Sequence, residues 1–120
     1  MCGIMGYTGV LPATPIIIKG LEKLQYRGYD SAGIGLLNKN EIKVYKTVGS
    51  PEKLWDKVPE NNPSRMGIGH TRWATHGAPT LTNAHPHTGP DGIFTIVHNG
   101  IIENYSDLKS DMESRGFLFK

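Results

Sequence analysis

The chain's one cysteine, Cys2, stands directly behind the first methionine in Met1-Cys2-Gly3-Ile4-Met5-Gly6. A thiolate is the reactive form of cysteine, and a base is needed to make it. With Met1 removed, Cys2 would also carry the free α-amine, whose ordinary pKa of about 7.7–8.0 lies near the working pH of a cell. One residue could then supply both nucleophile and general base, directly or through one water. Position alone favours the plainer reading, a small apolar residue at a frayed terminus.

Four further segments concentrate the residues that could work with such a thiol. They are Tyr26-Arg27-Gly28-Tyr29-Asp30-Ser31-Ala32-Gly33, Gly69-His70-Thr71-Arg72-Trp73-Ala74-Thr75-His76-Gly77, Asn83-Ala84-His85-Pro86-His87 and Val97-His98-Asn99-Gly100-Ile101-Ile102-Glu103-Asn104-Tyr105. Each residue taken singly has an ordinary structural explanation. Asn99-Gly100 after an alternating stretch is the favoured two-residue hairpin turn. Arg27 and Gly28 are what a helix C-terminus prefers. Arg72 would be a solvated strand-end cation, Trp73 a core residue, and Thr75 and His76 loop polar groups. The five histidines invite a metal, but zinc spacing with cysteine or acidic partners is missing. His85 and His87 are therefore read as fixing a long loop by hydrogen bonds, and no metal or cofactor is expected.

The elements that must carry these segments follow from periodicity and punctuation. A strand is expected over Cys2–Thr8 and a helix from about Pro15 to Gln25, where Ile17, Ile18, Leu21 and Leu24 recur at helical spacing. Strands Ala32–Leu37 and Ile42–Val48 flank the polar turn Asn38-Lys39-Asn40-Glu41. Ser50-Pro51-Glu52 opens a second helix that runs to about Val58. Met66–Trp73 returns as strand, a glycine- and proline-punctuated loop spans Ala74–Gly92, Ile93–His98 is strand, and Ser106–Arg115 is helix with Gly116 beyond it. The last residues, from Gly116, read as the opening of another strand, and an end inside an element is expected of a truncated domain. Strand pairs mixed with helices favour α+β over a regular βαβ alternation.

Composition narrows the partners. Thirteen basic and eleven acidic residues are scattered to a net charge of +2, with no basic stripe for nucleic acid. The longest apolar run, Ile16-Ile17-Ile18, is far short of a membrane span, and one cysteine fits a reducing compartment. A cytoplasmic chain is expected, without nucleic-acid or membrane partners.

Together the four segments and the N-terminal Cys2-Gly3-Ile4 resemble the glutaminase domain of the class II glutamine amidotransferases, which are N-terminal nucleophile hydrolases. The fuller strings Tyr-Arg-Gly-Tyr-Asp-Ser-Ala-Gly and His-Thr-Arg-Trp-Ala-Thr-His-Gly look like the glucosamine-6-phosphate synthase family within that class. The resemblance implies an αββα sandwich, two antiparallel sheets between helical layers, of which residues 1–120 would be the first half, with sugar isomerase domains absent. It implies that Cys2 attacks the side-chain amide of L-glutamine, with Asn99 and Gly100 as oxyanion donors. By the same resemblance Arg72 would hold the substrate α-carboxylate, Trp73, Thr75 and His76 would line the pocket, and Arg27 and Gly28 would pack around Cys2. An aspartate for the substrate ammonium would be expected just beyond Phe119. In the whole parent enzyme, a homo-oligomer, ammonia would pass to fructose 6-phosphate to give glucosamine 6-phosphate; the 120-residue chain alone is not expected to make it. Two other readings stay open: a free-standing small glutaminase, and a non-catalytic binding or assembly module.

Overall fold

A computed structural model describes residues 2–74 and 77–119. Four strands, β1 (Gly3–Thr8), β2 (Ser31–Asn38), β3 (Glu41–Val48) and β4 (Met66–Arg72), form one antiparallel sheet in the order β1-β4-β2-β3. The β2–β3 hairpin turns where the sequence expects it. Asn38 pairs with Glu41, and Lys39 between them takes a left-handed φ of 55°.

Because side chains alternate along a strand, each strand serves two faces. Ala32, Ile34 and Leu36 of β2 point toward helix α1 (Ala13–Leu24) and a 3₁₀ helix (Pro51–Asp56). With Ala13, Ile17, Ile18, Leu21, Leu54 and Val58 they make the buried core, which Met5, Tyr7 and Tyr45 close at its margins. α1 lies close because β4 offers it glycine: a Cβ on Gly69 would stand 2.5 Å from Ile17 Cγ2.

The other face of the sheet carries Ile4, Gly33, Gly35 and His70, in register across the strands. There the sheet meets the His85–Pro86 loop and a short second ladder, β5 (His87–Thr88) paired with β6 (Thr95–Ile96). Glycine again permits the approach. A Cβ on Gly33 would run into the His85 carbonyl, and one on Gly35 would lie 3.1 Å from Thr95 Cγ2. The layers are helix, sheet and the start of a second sheet, an α+β arrangement that is part of an αββα sandwich. Helix α2 (Tyr105–Ser114) follows, and none of its residues is buried.

Several boundaries depart from the sequence-based expectation, each for a local reason. α1 begins at Ala13, ahead of Pro15, because the Ala13 N–H is taken by the Ser64 carbonyl at 2.8 Å. Residues 51–56 are 3₁₀ and not α, and the Ser50 hydroxyl bonds the Glu52 carboxylate at 2.9 Å instead of capping the backbone. The strand expected over Ile93–His98 shrinks to Thr95–Ile96, since its partner offers two residues. No strand opens at Gly116. Its φ of 92°, with Gly116 N–H on Glu113 O and Phe117 N–H on Met112 O, is a helix-ending motif. Among the described residues no helix is long and apolar enough to cross a membrane.

Candidate active site

The register Gly3↔Thr71 places residue 2 beside the end of β4. Cys2 Sγ accepts from the Trp73 main-chain N–H at 3.4 Å and reaches the Trp73 carbonyl at 3.7 Å. That stretch of backbone is clamped from the far side. A Cβ on Gly28 would lie 2.5 Å from both Arg72 C and Trp73 N, so only glycine fits there. The Asp30 N–H donates to Arg72 O at 3.0 Å, and Asp30 Oδ2 accepts the Ala74 N–H at 2.6 Å. Gly28 thus acts on Cys2 through the backbone at 72–73. Trp73 meets the thiol with its main chain, while its half-exposed ring stands edge-on to Tyr29 at 6.2 Å.

Asn99 arrives from a segment 97 positions further along, and its Nδ2 donates to the Cys2 carbonyl at 3.0 Å. Its Oδ1 lies 2.8 Å from Nε2 of His70, a fully buried residue on β4. The His70 ring stacks on His85 at 4.3 Å, and His85 tilts against His87 at 4.4 Å. His85 Nδ1 accepts the His98 N–H at 3.4 Å, which ties its loop to the segment that carries Asn99. Burial lowers the pKa of all three rings, with that of His85 pushed down to about 3 and the neighbouring His70 adding to the effect. His70 and His85 stack at an interplanar angle of 27°, whereas His87 stands tilted at 59° to His85. Among the described residues no group of histidine, cysteine and acidic side chains could hold a metal ion.

The remaining site candidates fall as follows. Arg72, nearly buried, donates from Nη1 to the Ala78 carbonyl at 3.0 Å and from Nη2 to the Gly77 carbonyl at 3.4 Å. Arg27 donates from Nε to the Tyr26 hydroxyl at 3.2 Å, its guanidinium 5.5 Å from the Tyr26 ring. Gly100 takes a φ of 149° beside the His98 ring, and Asn99-Gly100 is not a hairpin turn. Thr75 and His76 lie outside the described residues. Two contributors had no assigned role in the sequence: Asp30, visible only as part of its string, and His70, read only as a possible metal ligand.

The layered helix–sheet–sheet frame with a cysteine just ahead of β1 is the fold of a class II glutamine amidotransferase domain, part of an N-terminal nucleophile hydrolase sandwich. The solved glutamine phosphoribosylpyrophosphate amidotransferase of B. subtilis superimposes with a TM-score of 0.80 at 28% identity, over 98% of this chain and 26% of that one. By sequence, the chain is similar to the isomerizing glutamine–fructose-6-phosphate aminotransferases. It is 52% identical over its whole length to the enzyme named so in Clostridium acetobutylicum, covering 20% of it. It is 57% identical over 111 residues to the one in Bacillus subtilis, covering 18% of that protein. The chain therefore spans about a fifth of the length of the curated relatives it matches. No protein-family profile matches it.

Proposed function

We propose that Cys2 is the nucleophile of a glutaminase site, and that the complete gene product uses the ammonia to aminate fructose 6-phosphate. Residues 1–120 would be part of the glutaminase domain, with the sugar chemistry housed elsewhere. The observation that carries this reading is the Asn99 amide donating to the Cys2 residue itself, from 97 positions away. With Met1 removed, the α-amine takes the thiol proton and the sulfur attacks the carboxamide carbon of glutamine. Collapse of the tetrahedral intermediate expels ammonia, protonated by the same amine, and leaves a γ-glutamyl thioester. Water then attacks that thioester, releasing glutamate and restoring the thiol. Each intermediate carries an oxyanion whose reception is assigned to Asn99 Nδ2 and the Gly100 N–H, and losing one such donor costs roughly 10²–10³ in rate.

Arg72 is assigned to the substrate α-carboxylate. Its planar guanidinium suits a two-point grip that lysine does not reproduce, and it already holds the Gly77 and Ala78 carbonyls. Trp73, Thr75 and His76 are assigned to the pocket wall, and Arg27 and Gly28 to the packing that places Cys2.

Ammonia release from glutamine by the complete gene product tests the reading, with Cys2→Ala as the control and a diazo-ketone glutamine analogue to trap the sulfur. Peptide mapping should find the label on Cys2. Glutamine hydrolysis that survives Cys2→Ala, or a mature protein that keeps Met1 and is fully active, would end it.

A further inference from the structure

Asn99 approaches the nucleophile from residues 97–104, a stretch that joins neither strand nor helix. A carboxamide on such a stretch has two orientations half a turn apart, and only one turns its NH₂ toward Cys2. We propose that His70 is the positioning residue that selects this orientation: its Nε2–H donates to Asn99 Oδ1 and keeps the amide nitrogen directed at the nucleophile. The inference rests on the reading of Cys2 as nucleophile and Asn99 as oxyanion donor. It assigns a role to a residue that touches neither sulfur nor substrate in that reading.

Two contacts at opposite ends of one amide agree on its direction. With Nδ2 on the Cys2 carbonyl at 3.0 Å and Oδ1 2.8 Å from His70 Nε2, the amide nitrogen faces an acceptor and the amide oxygen faces a ring nitrogen able to donate. Rotating the amide by half a turn would press Oδ1 against the Cys2 carbonyl oxygen, two acceptors together, and would place NH₂ against the Nε2 hydrogen. The same pair of contacts selects the imidazole tautomer. Oδ1 can only accept, so the hydrogen of a neutral ring belongs on Nε2. Burial lowers the pKa of the ring and so favours its neutral form, which has one N–H to give; the Asn99 amide and the His98 main chain both act on that ring and oppose the shift.

The anchor is stiff where Asn99 is not. His70 is wholly buried on β4, with β1 on one side and β2 on the other through the pairs Ile4↔His70 and Gly33↔His70. His85 covers one face of its ring at 4.3 Å and, through Nδ1, holds the main chain of His98, the residue before Asn99. Backbone and side chain of the donor are thus referred to one rigid strand. A loosely supported donor loses rate without losing substrate, because the oxyanion forms only during reaction.

Steady-state glutamine hydrolysis by the complete gene product decides the matter. His70→Phe keeps a stacking ring without the donor; His70→Gln keeps an N–H near the Nε2 position. Removing the donor should lower kcat by roughly 10- to 100-fold with KM within about threefold, and the glutamine variant should recover most of the loss. In an Asn99→Ala background His70→Phe should cost nothing further, since the two act as one unit. If His70→Phe does not fold, His70→Met is the donor-free partner for the glutamine variant, with thermal midpoints confirming that both are native. The proposal falls if the donor-free variant matches wild type, if the glutamine variant is equally impaired, if only KM moves, or if the His70 and Asn99 losses multiply. Activity that survives Cys2→Ala would strike the nucleophile assignment beneath it, a separate and recognisable failure.

Discussion

Residues 3–72 and residues 93–119 have comparable fractions of apolar sequence and end in opposite conditions. In the first region Ile17, Ile18, Leu21, Ile34, Leu36 and Leu54 are all but fully buried between α1 and the sheet. In the second, Ile93, Phe94, Ile96, Ile101, Ile102, Leu108, Phe117, Leu118 and Phe119 are all exposed. The contrast shows that hydrophobic content does not make a core; two faces must meet. α1 and the sheet supply each other with such a face, whereas α2 has no partner layer among the described residues. The candidate site straddles the boundary, since Cys2 adjoins the packed region and Asn99 lies in the open one. Geometry at that seam then depends on the few contacts that reach across it, above all His70 to Asn99 and Asn99 to Cys2.

The strongest test of the contrast is a cavity in the packed half. Ile17 is fully buried and lies against Gly67 and Gly69 of β4. Ile17→Ala should cost about 2–5 kcal/mol, read as a lower denaturant midpoint with an unchanged slope. A loss under about 1 kcal/mol would mean that this half is no better packed than the other.

Gly28→Ala comes next. The added Cβ would be forced into the backbone of Arg72 and Trp73, which cannot move as a flexible side chain would. Overpacking of this kind costs about 1–3 kcal/mol. Here it would also shift the peptide that meets Cys2 Sγ, so alkylation of Cys2 by iodoacetamide should change along with stability. Unaltered thiol kinetics would separate Gly28 from the site.

A smaller effect is expected from pH. The imidazoles of His70, His85 and His87 have pKa values lowered by burial, His85 from 6.5 to about 3. A lowered histidine pKa means that the unfolded chain binds the proton first. Stability is therefore complete above about pH 6.5 and drains away as pH falls through that value toward 3. The thermal midpoint should drop across this window, and His85→Phe, which keeps a ring in the stack, should flatten the slope. A midpoint independent of pH between 6.5 and 4 would contradict the burial of the cluster.

Most of the packed half was legible in the amino-acid sequence, because its signals are local. The spacing of Ile17, Ile18, Leu21 and Leu24 announces α1, and Asn38 to Glu41 announces the β2–β3 turn. The open half was read less well. Ile93–His98 looks like a full strand by composition, but the length of a strand is set by its partner, and β5 is two residues long. Within the site, Cys2 and Asn99 were found through their strings. The bond from His70 to Asn99 joins residues 29 apart, and no spacing rule predicts which histidine a buried strand will aim at which amide. Asp30 was missed for the same reason, its carboxylate serving a backbone N–H 44 positions away.

The faintest response should come from the tip of the open region. Leu118 is 93% exposed, so its side chain has almost nothing to lose on truncation. Leu118→Ser in the 120-residue chain should change stability by no more than about 0.5 kcal/mol, against several for Ile17→Ala. The comparison is informative because the two residues are of similar size and hydrophobicity, so transfer free energy alone would rank them together. Only the difference in what surrounds them predicts a gap of at least about fourfold. Equal losses at both positions would show that residues 117–119 are held in a core of their own, and the division between a packed and an open half would have to be withdrawn.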